Sequence, residues 1–480
     1  MSKTMTDSSS PNRNAVSMAH AALCFAGVIG MIATGLSLFE VSLHSVIFLC
    51  LVWTAANARY LGYSYADIQR LMSDAISRAL PAIYIFLLIG MIIASFIHSG
   101  TIATLMYYGL SWLSPSLFLP VGLIMCALMS LATGTAWGTV GTLGVVFMAM
   151  ASVLDLSLGI VAGMIVCGAT FGDKLSPVSD TTNLAAMSAG TNLYRHIYSM
   201  LMTTAPTFLL TLLLFSLLGL NNSAHALALE QTEVIRQTLA EHYRLSPWIT
   251  LLPIIALFSL SVKRVAAEVT MAVSSLLAVM VAVIYQGQDL SLVLNALWQN
   301  SPGNTGIASL DELLGRGGMY AMSWTLLLAI MALALGGVMH GAGFLSALLA
   351  GLIARVRHRA ALVASTIGSG LLGNLAMGEA YISIILNCQL FREKYQQEGL
   401  DPALLSRSVE EGATLTTGLI PWTTAGAFYS ATLGVAVVDY LPWAFFNYLN
   451  GLIAIVMAAL GLGMLKQSEA ANRDRQESQP

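Results

Sequence analysis

Hydrophobic stretches follow one another along this chain almost without pause. After a polar opening centred on Ser8-Ser9-Ser10-Pro11-Asn12, apolar runs cover about Ser17–Phe39, Leu43–Ala56, Leu80–Ile97, Leu117–Leu131, Leu143–Val153, Leu158–Gly172 and Ile197–Leu220. A second series covers Pro247–Val262, Val265–Tyr285, Met319–Met339, Phe344–Ala354, Ala360–Leu375, Ala380–Leu390, Leu404–Ile420, Ala425–Val438 and Tyr440–Leu465. The run from Ser17 is too long for a cleaved secretion signal and reads as a retained span. Several others fall short of the roughly 20 residues that a full crossing needs, which predicts half-helices and re-entrant segments. The pattern therefore predicts an all-α polytopic membrane protein with roughly 10–12 spans. Two polar stretches, Asn221–Leu245 and Gly287–Gly318, read as extramembrane; the first is an acidic helical connector with Glu230, Glu233 and Glu241. The expected organisation is a disordered tail (1–16), a first transmembrane half (17–220), the connector (221–245), a second half (246–465) and a polar tail (466–480).

Composition agrees with that pattern. The chain is 57% hydrophobic and 9% charged, with a mean hydropathy of +0.76. A soluble domain is about 45–50% apolar and about 25% charged, so a water-soluble fold is excluded. A net charge of −3 leaves no basic surface for nucleic acid. The five cysteines lie singly within apolar runs, which suits packing rather than disulfides or a zinc site. Lysine and arginine in short loops set the orientation. Lys3 and Arg13 in the tail, and Arg59, Arg70 and Arg78 after the second run, predict a cytoplasmic N-terminus. Lys263, Arg264, Arg355, Arg357 and Arg359 are expected on the same side, while Arg392–Arg407, of mixed charge, fits neither side.

The halves match one another at one offset. Gly134-Thr135-Ala136-Trp137 lies 244 residues before Gly378-Glu379-Ala380-Tyr381, and Gly168-Ala169-Thr170 lies 244 residues before Gly412-Ala413-Thr414. Leu175 and Pro177 meet Leu419 and Pro421 at the same distance, and His98 meets His340 after a small gap. With the charge bias reversed between the halves, this predicts two inverted-topology repeats. Glycine and proline interrupt the runs where the halves match. One such segment is 134–142, mated with 368–379, and the other is 172–183, mated with 416–424. Unwound backbone at membrane depth is tolerated only where protein or a water-filled cavity satisfies it. Freed carbonyls, threonine hydroxyls and carboxylates are hard oxygen ligands for a small cation, whereas exposed half-helix N-termini favour anions.

A charge in the hydrocarbon costs at least ~2.5–3.5 kcal/mol, so an acid there needs a partner or a function. Asp180 and Glu379 are the leading candidates, as sodium ligands; Asp173, Ser179, Thr181, Thr182, Asn183, Thr135, Asn374, Glu411 and Thr423 complete the expected ion or substrate site. Lys174 with Asp173 equally reads as an interfacial pair, and Glu410 as a helix cap. His98 and His340 read as structural hydrogen-bonding groups. Trp137 and Tyr381 occupy equivalent places beside the breaks. No His-Glu-x-x-His cluster or Gly-x-Ser-x-Gly elbow is present, so no enzyme activity and no cofactor is expected.

Gly134–Thr139, the string Phe171-Gly172-Asp173-Lys174-Leu175-Ser176-Pro177-Val178-Ser179-Asp180-Thr181-Thr182-Asn183-Leu184-Ala185, Leu405-Ser406-Arg407, Glu410-Glu411 and Leu419-Ile420-Pro421-Trp422 resemble the NhaC-type Na+/H+ antiporter family. The resemblance runs collinearly over nearly the whole chain. It implies a secondary transporter exchanging Na+ for protons across the cytoplasmic membrane; some relatives couple Na+ and H+ to organic acids or amino acids. Two departures stand out: Thr423 where the family has asparagine after Ile-Pro-Trp, and Ala380 where a glutamine is expected. Both remove an amide from the expected site. The expected cycle has buried Asp180 and Glu379 holding either a proton or Na+. Desolvation favours the protonated carboxylate and a bound cation the ionised one. The expected partners are the bilayer, Na+, protons and, on the alternative reading, a small organic anion or amino acid; a homodimer is left open.

Overall fold

The computed structural model describes residues 15–112, 115–154, 156–221, 228–263, 265–353, 356 and 358–465. The expected tails lie almost wholly outside these residues, as do Arg264, Arg355 and Arg357. The described chain is helical throughout. Its first half contains α1 (Met18–Ser37), α2 (Leu43–Tyr60), α3 (Tyr65–Arg78), α4 (Leu80–His98), α5 (Thr101–Trp112), α6 (Pro115–Thr133), α7 (Ala136–Thr139), a π-helical turn (Val140–Gly144), α8 (Val145–Val153), α9 (Leu158–Leu175), α10 (Asp180–Ala189) and α11 (Leu193–Asn221). The connector forms α12 (Ala228–His242). Then come α13 (Pro247–Thr250), α14 (Leu252–Val262), α15 (Ala267–Met280), α16 (Leu290–Trp298), α17 (Ala308–Leu314), α18 (Met319–Gly341) and α19 (Phe344–Ile353). The chain finishes with α20 (Arg359–Met377), α21 (Ala380–Gln397), α22 (Pro402–Gly412), α23 (Thr414–Thr417), α24 (Thr424–Leu433), α25 (Val437–Tyr440) and α26 (Phe445–Ala459).

Among the described residues, seven helices are long and apolar enough to cross a membrane, or up to nine if each of two bent pairs is one span. That is fewer than the roughly 10–12 spans expected from apolar runs. The difference lies in short elements such as Ala136–Ser152 and Leu252–Val262, which are apolar but below span length. The five cysteines are free and buried.

The 244-residue register extends to the ends of whole helices. Both ends of α6 and of α20, and both ends of α10 and of α24, differ by that offset, as do the first residues of α9 and α22. Two side-chain staples repeat it. Ser130 Oγ donates to Ala169 O (2.6 Å), and Asn374 Nδ2 donates to Ala413 O. Packing between halves is exchanged: α10 rests on α21, and α24 rests on α7 and the π-turn.

Contacts also fix which ends lie together. Arg195, at the start of α11, pairs with Asp401, the N-cap of α22, and Arg359, at the start of α20, pairs with Glu398. The mixed-charge stretch 392–407 therefore shares one end with Arg195 and Arg359. At the other end of α11, Gly219 lies against Ser116, at the start of α6. From Arg195 to Gly219 the helix rises about 36 Å at 1.5 Å per residue, comparable to the bilayer core. The two polar stretches are docked rather than free. The connector helix α12 buries Ile235 and Leu239, and Gly318 N–H donates to Gly90 O (2.7 Å), midway along α4.

Candidate ion and substrate site

Each half breaks its helix in the same way. Gly134 turns the chain at φ +71°, Thr135 follows extended (φ −146°, ψ 121°) and α7 begins; in the second half Gly378 turns at φ +66°, Glu379 is extended (φ −146°, ψ 125°) and α21 begins. Positive φ favours glycine because a Cβ would clash with the backbone there. The second breaks match too. Ser179 caps α10 by accepting from Thr182 N–H, and Thr423 caps α24 by accepting from Gly426 N–H. Asp180 and Thr424 are thus the first residues of equivalent half-helices. The π-turn directly after α7 is a second irregularity at the same place, a common feature of functional helices.

These breaks surround one cavity of about 810 Å³, whose walls carry Asp173, Asp180, Glu379, Thr135, Thr181 and Asn183. Asp173 and Glu379 are each only 7% exposed. Asp180 departs from the expectation of a buried carboxylate: it is exposed along the cavity, because it opens α10 where the space is wide. Tyr381 joins the two halves, its hydroxyl donating to Asp180 Oδ2 and its N–H to Glu379 Oε1 (3.3 Å). Glu379 Oε2 accepts from Thr424 Oγ1 (2.8 Å). Trp137, equivalent to Tyr381, instead forms a wall by stacking on Phe428 with centroids 4.6 Å apart. Arg78 and Glu268 line the same cavity from α3 and α15.

The remaining expected residues stand behind this wall. Ser179 and Thr423 are fully buried caps, and the Thr423 hydroxyl is occupied by Ile420 O (2.9 Å), Thr417 O and Gly426 N–H (3.0 Å). An amide at 423 would therefore replace a cap rather than a cavity ligand. Thr182 is spent on the carbonyls of Asp173 (3.2 Å) and Lys174 (3.4 Å). Asn374 is the staple already described. Glu411 lies apart, accepting from Thr203 Oγ1 (2.6 Å) and facing Arg407 Nε at 3.7 Å, with both charges fully buried. Lys174 is no interfacial residue: it is fully buried, 2.9 Å from Glu410 Oε1 and 3.3 Å from Thr181 Oγ1. The sequence reading singled out neither His196 nor Thr424, and it named Arg407 only within the family resemblance and the mixed-charge stretch. Thr424 was open to discovery, since the 244-residue register sets it opposite Asp180. His98 is satisfied by Gln288 (2.6 Å) and Asn300 (3.0 Å).

Matched halves with broken helices, three carboxylates and a cavity between them define a membrane transporter of the discontinuous-helix class. The chain belongs to the Na+/H+ antiporter family, which its residues 168–462 match. It is 35% identical to the Na+/H+ antiporter NhaC of Alkalihalophilus pseudofirmus over 93% of this chain and 96% of that protein. It is 33% identical to a malate-2H+/Na+-lactate antiporter of Bacillus subtilis over 84% of this chain and 86% of that one. A third relative, the arginine/ornithine antiporter ArcD of Halobacterium salinarum, shares 30% identity over 93% of both chains.

Proposed function

We propose that this protein exchanges Na+ for H+ across the cytoplasmic membrane by alternating access, with its N-terminus in the cytoplasm and its halves inverted. The observation that carries the reading is the meeting of Asp173, Asp180 and Glu379, from broken helices of both halves, in one cavity. Three carboxylates with threonine hydroxyls suit a hard cation, and a proton competes with the cation for the same carboxylate oxygens. Occupancy by one excludes the other, which couples the two fluxes. The relative named for Na+/H+ exchange supports this. Arg78 lines the cavity, and Lys263 lies two residues before the lining residue Val265; charge expected on the cytoplasmic side supports a cavity that faces the cytoplasm. Inversion is supported by the starts of the equivalent helices α6 and α20 lying toward opposite ends of α11: Ser116 meets Gly219, whereas Arg359 pairs with Glu398, three residues before Asp401, the partner of Arg195.

The cavity volume favours a second reading. A Na+ with six waters fills only ~180 Å³ at ~30 Å³ per water, whereas about 810 Å³ holds an organic solute as well. Relatives named for malate and lactate, or for arginine and ornithine, agree with an exchanger of small carboxylates or amino acids. Everted vesicles given Na+, Li+, K+ and organic solutes in turn test both. Collapse of an imposed pH gradient by Na+ alone supports the first reading. A gradient untouched by Na+ but moved by an organic solute overturns it in favour of the second.

A further inference from the structure

Behind the cavity, the structure holds a second set of ionisable groups that the exchange cycle above leaves unused. His196, on α11, is fully buried; its Nε2 lies 3.3 Å from Glu410 Oε2 and its Nδ1 2.7 Å from Ser406 Oγ. The other carboxylate oxygen of Glu410 holds Lys174 Nζ at 2.9 Å. Lys174 also reaches Thr181 Oγ1, and that hydroxyl lies 3.5 Å from Asp173 Oδ2 in the cavity wall. One side-chain chain thus runs from His196 to the cavity. At its far end His196 adjoins Arg195, whose side chain is 48% exposed. Resting on the Na+/H+ reading, we propose that His196 is a proton-binding site of the exchange cycle, separate from the cavity carboxylates and antagonistic to the cation there.

Charge supplies the antagonism. With a neutral imidazole, Lys174 and Glu410 cancel; with an imidazolium, the triad carries one positive charge in a medium where charges interact strongly. That charge opposes a cation beside Asp173, and by reciprocity a cation there opposes protonation of His196. Other charged groups facing α11 do not replace this partner. The packed helices α6 and α26 bring no acidic or basic side chain. From α10 comes Asp180, already in the cavity. On α22, Arg407 and Glu411 face each other, and its cap Asp401 is engaged by Arg195.

The experiment is Na+/Na+ counterflow in proteoliposomes of the full chain, with half-saturation measured from pH 6 to 9. If one Na+ displaces the His196 proton among others, log half-saturation falls with pH, and that fall becomes shallower by up to one per pH unit in His196→Gln. An unchanged slope in an active His196→Gln overturns the inference. Because that variant alters a buried contact, infrared difference spectra of wild type with 15N-labelled histidine, with and without Na+ at pH 6, provide a second readout. Loss of an imidazolium band on Na+ addition supports the inference, and no histidine change overturns it. Wild-type protein that moves no Na+ overturns the exchange reading, and this inference with it. Active wild type with an unaltered slope in the variant overturns the inference alone.

Discussion

At the scale of single residues, the side chains divide between those that touch the cavity and those that hold its frame. Asp180 and Glu379 touch it, joined through Tyr381. Asp180→Asn and Glu379→Gln keep shape and hydrogen bonding but remove the charge that a cation needs. Each should lower Na+-dependent proton flux at least about tenfold, the effect of ~1.4 kcal/mol. Membrane insertion should be retained, since a neutral side chain costs less to bury. Glu233→Gln is the comparison, for Glu233 pairs with Arg236 on the exposed connector, and its flux should match wild type. Full flux from well-inserted Asp180→Asn would move the site to other groups. Thr423 belongs to the frame. Thr423→Ala removes a helix cap and should lower stability by about 1 kcal/mol, read by thermal unfolding in detergent. The Na+ half-saturation should stay at its wild-type value; a large rise would place the hydroxyl at the ion after all.

At the scale of elements, the breaks depend on glycine at particular backbone angles and in particular contacts. A Cβ on Gly134 would lie 2.9 Å from the carbonyl carbon of Val178 and 3.0 Å from Ser179 N, at φ +71°. Gly134→Ala should cost about 1–2 kcal/mol for the left-handed backbone alone, and it should push the Ser179 cap and Asp180 out of place. Gly368, in the interior of α20, has nothing within 4 Å of such a Cβ. Gly368→Ala should instead stabilise by about 0.5–1 kcal/mol, with transport preserved. Thermal unfolding and proton flux on both variants check the pair, and equal behaviour of the two would refute the distinction. The element scale is also where the sequence was most legible. Repeated Gly-Thr-Ala-Trp and Gly-Glu-Ala-Tyr strings carried the register because a break needs glycine followed by a capping residue, and both are visible in one dimension. The Lys174–Glu410–His196 chain was not legible. Its members come from three helices; Lys174 and Glu410 each looked like an end-of-helix charge, and no pattern along the chain marked His196. Asp180's exposure escaped for a related reason: neighbours in sequence do not report how wide a cavity is.

At the scale of the whole molecule, the same register becomes a statement about membrane sides. Asn192 follows α10 and Ala436 follows α24, 244 residues apart, and both are exposed. Asn192 lies three residues before Arg195, at the end shared with Asp401 and Arg359. Ala436 lies beside Asp439, whose carbonyl faces Gly159 at the start of α9. If the halves are inverted, these two loops open on opposite faces of the bilayer; if the halves run the same way, they open on one face. The reversed arginine bias favours the Asn192 side as cytoplasmic. All five native cysteines are buried, so a membrane-impermeant maleimide reports on an introduced thiol over a low background. Asn192→Cys should be labelled in everted vesicles and protected in right-side-out cells, and Ala436→Cys should show the reverse. Labelling of both from the same face would overturn the inversion. The pairing of Asp180 with Tyr381 across the halves would then need a fold in which equivalent helices meet without exchanging membrane sides.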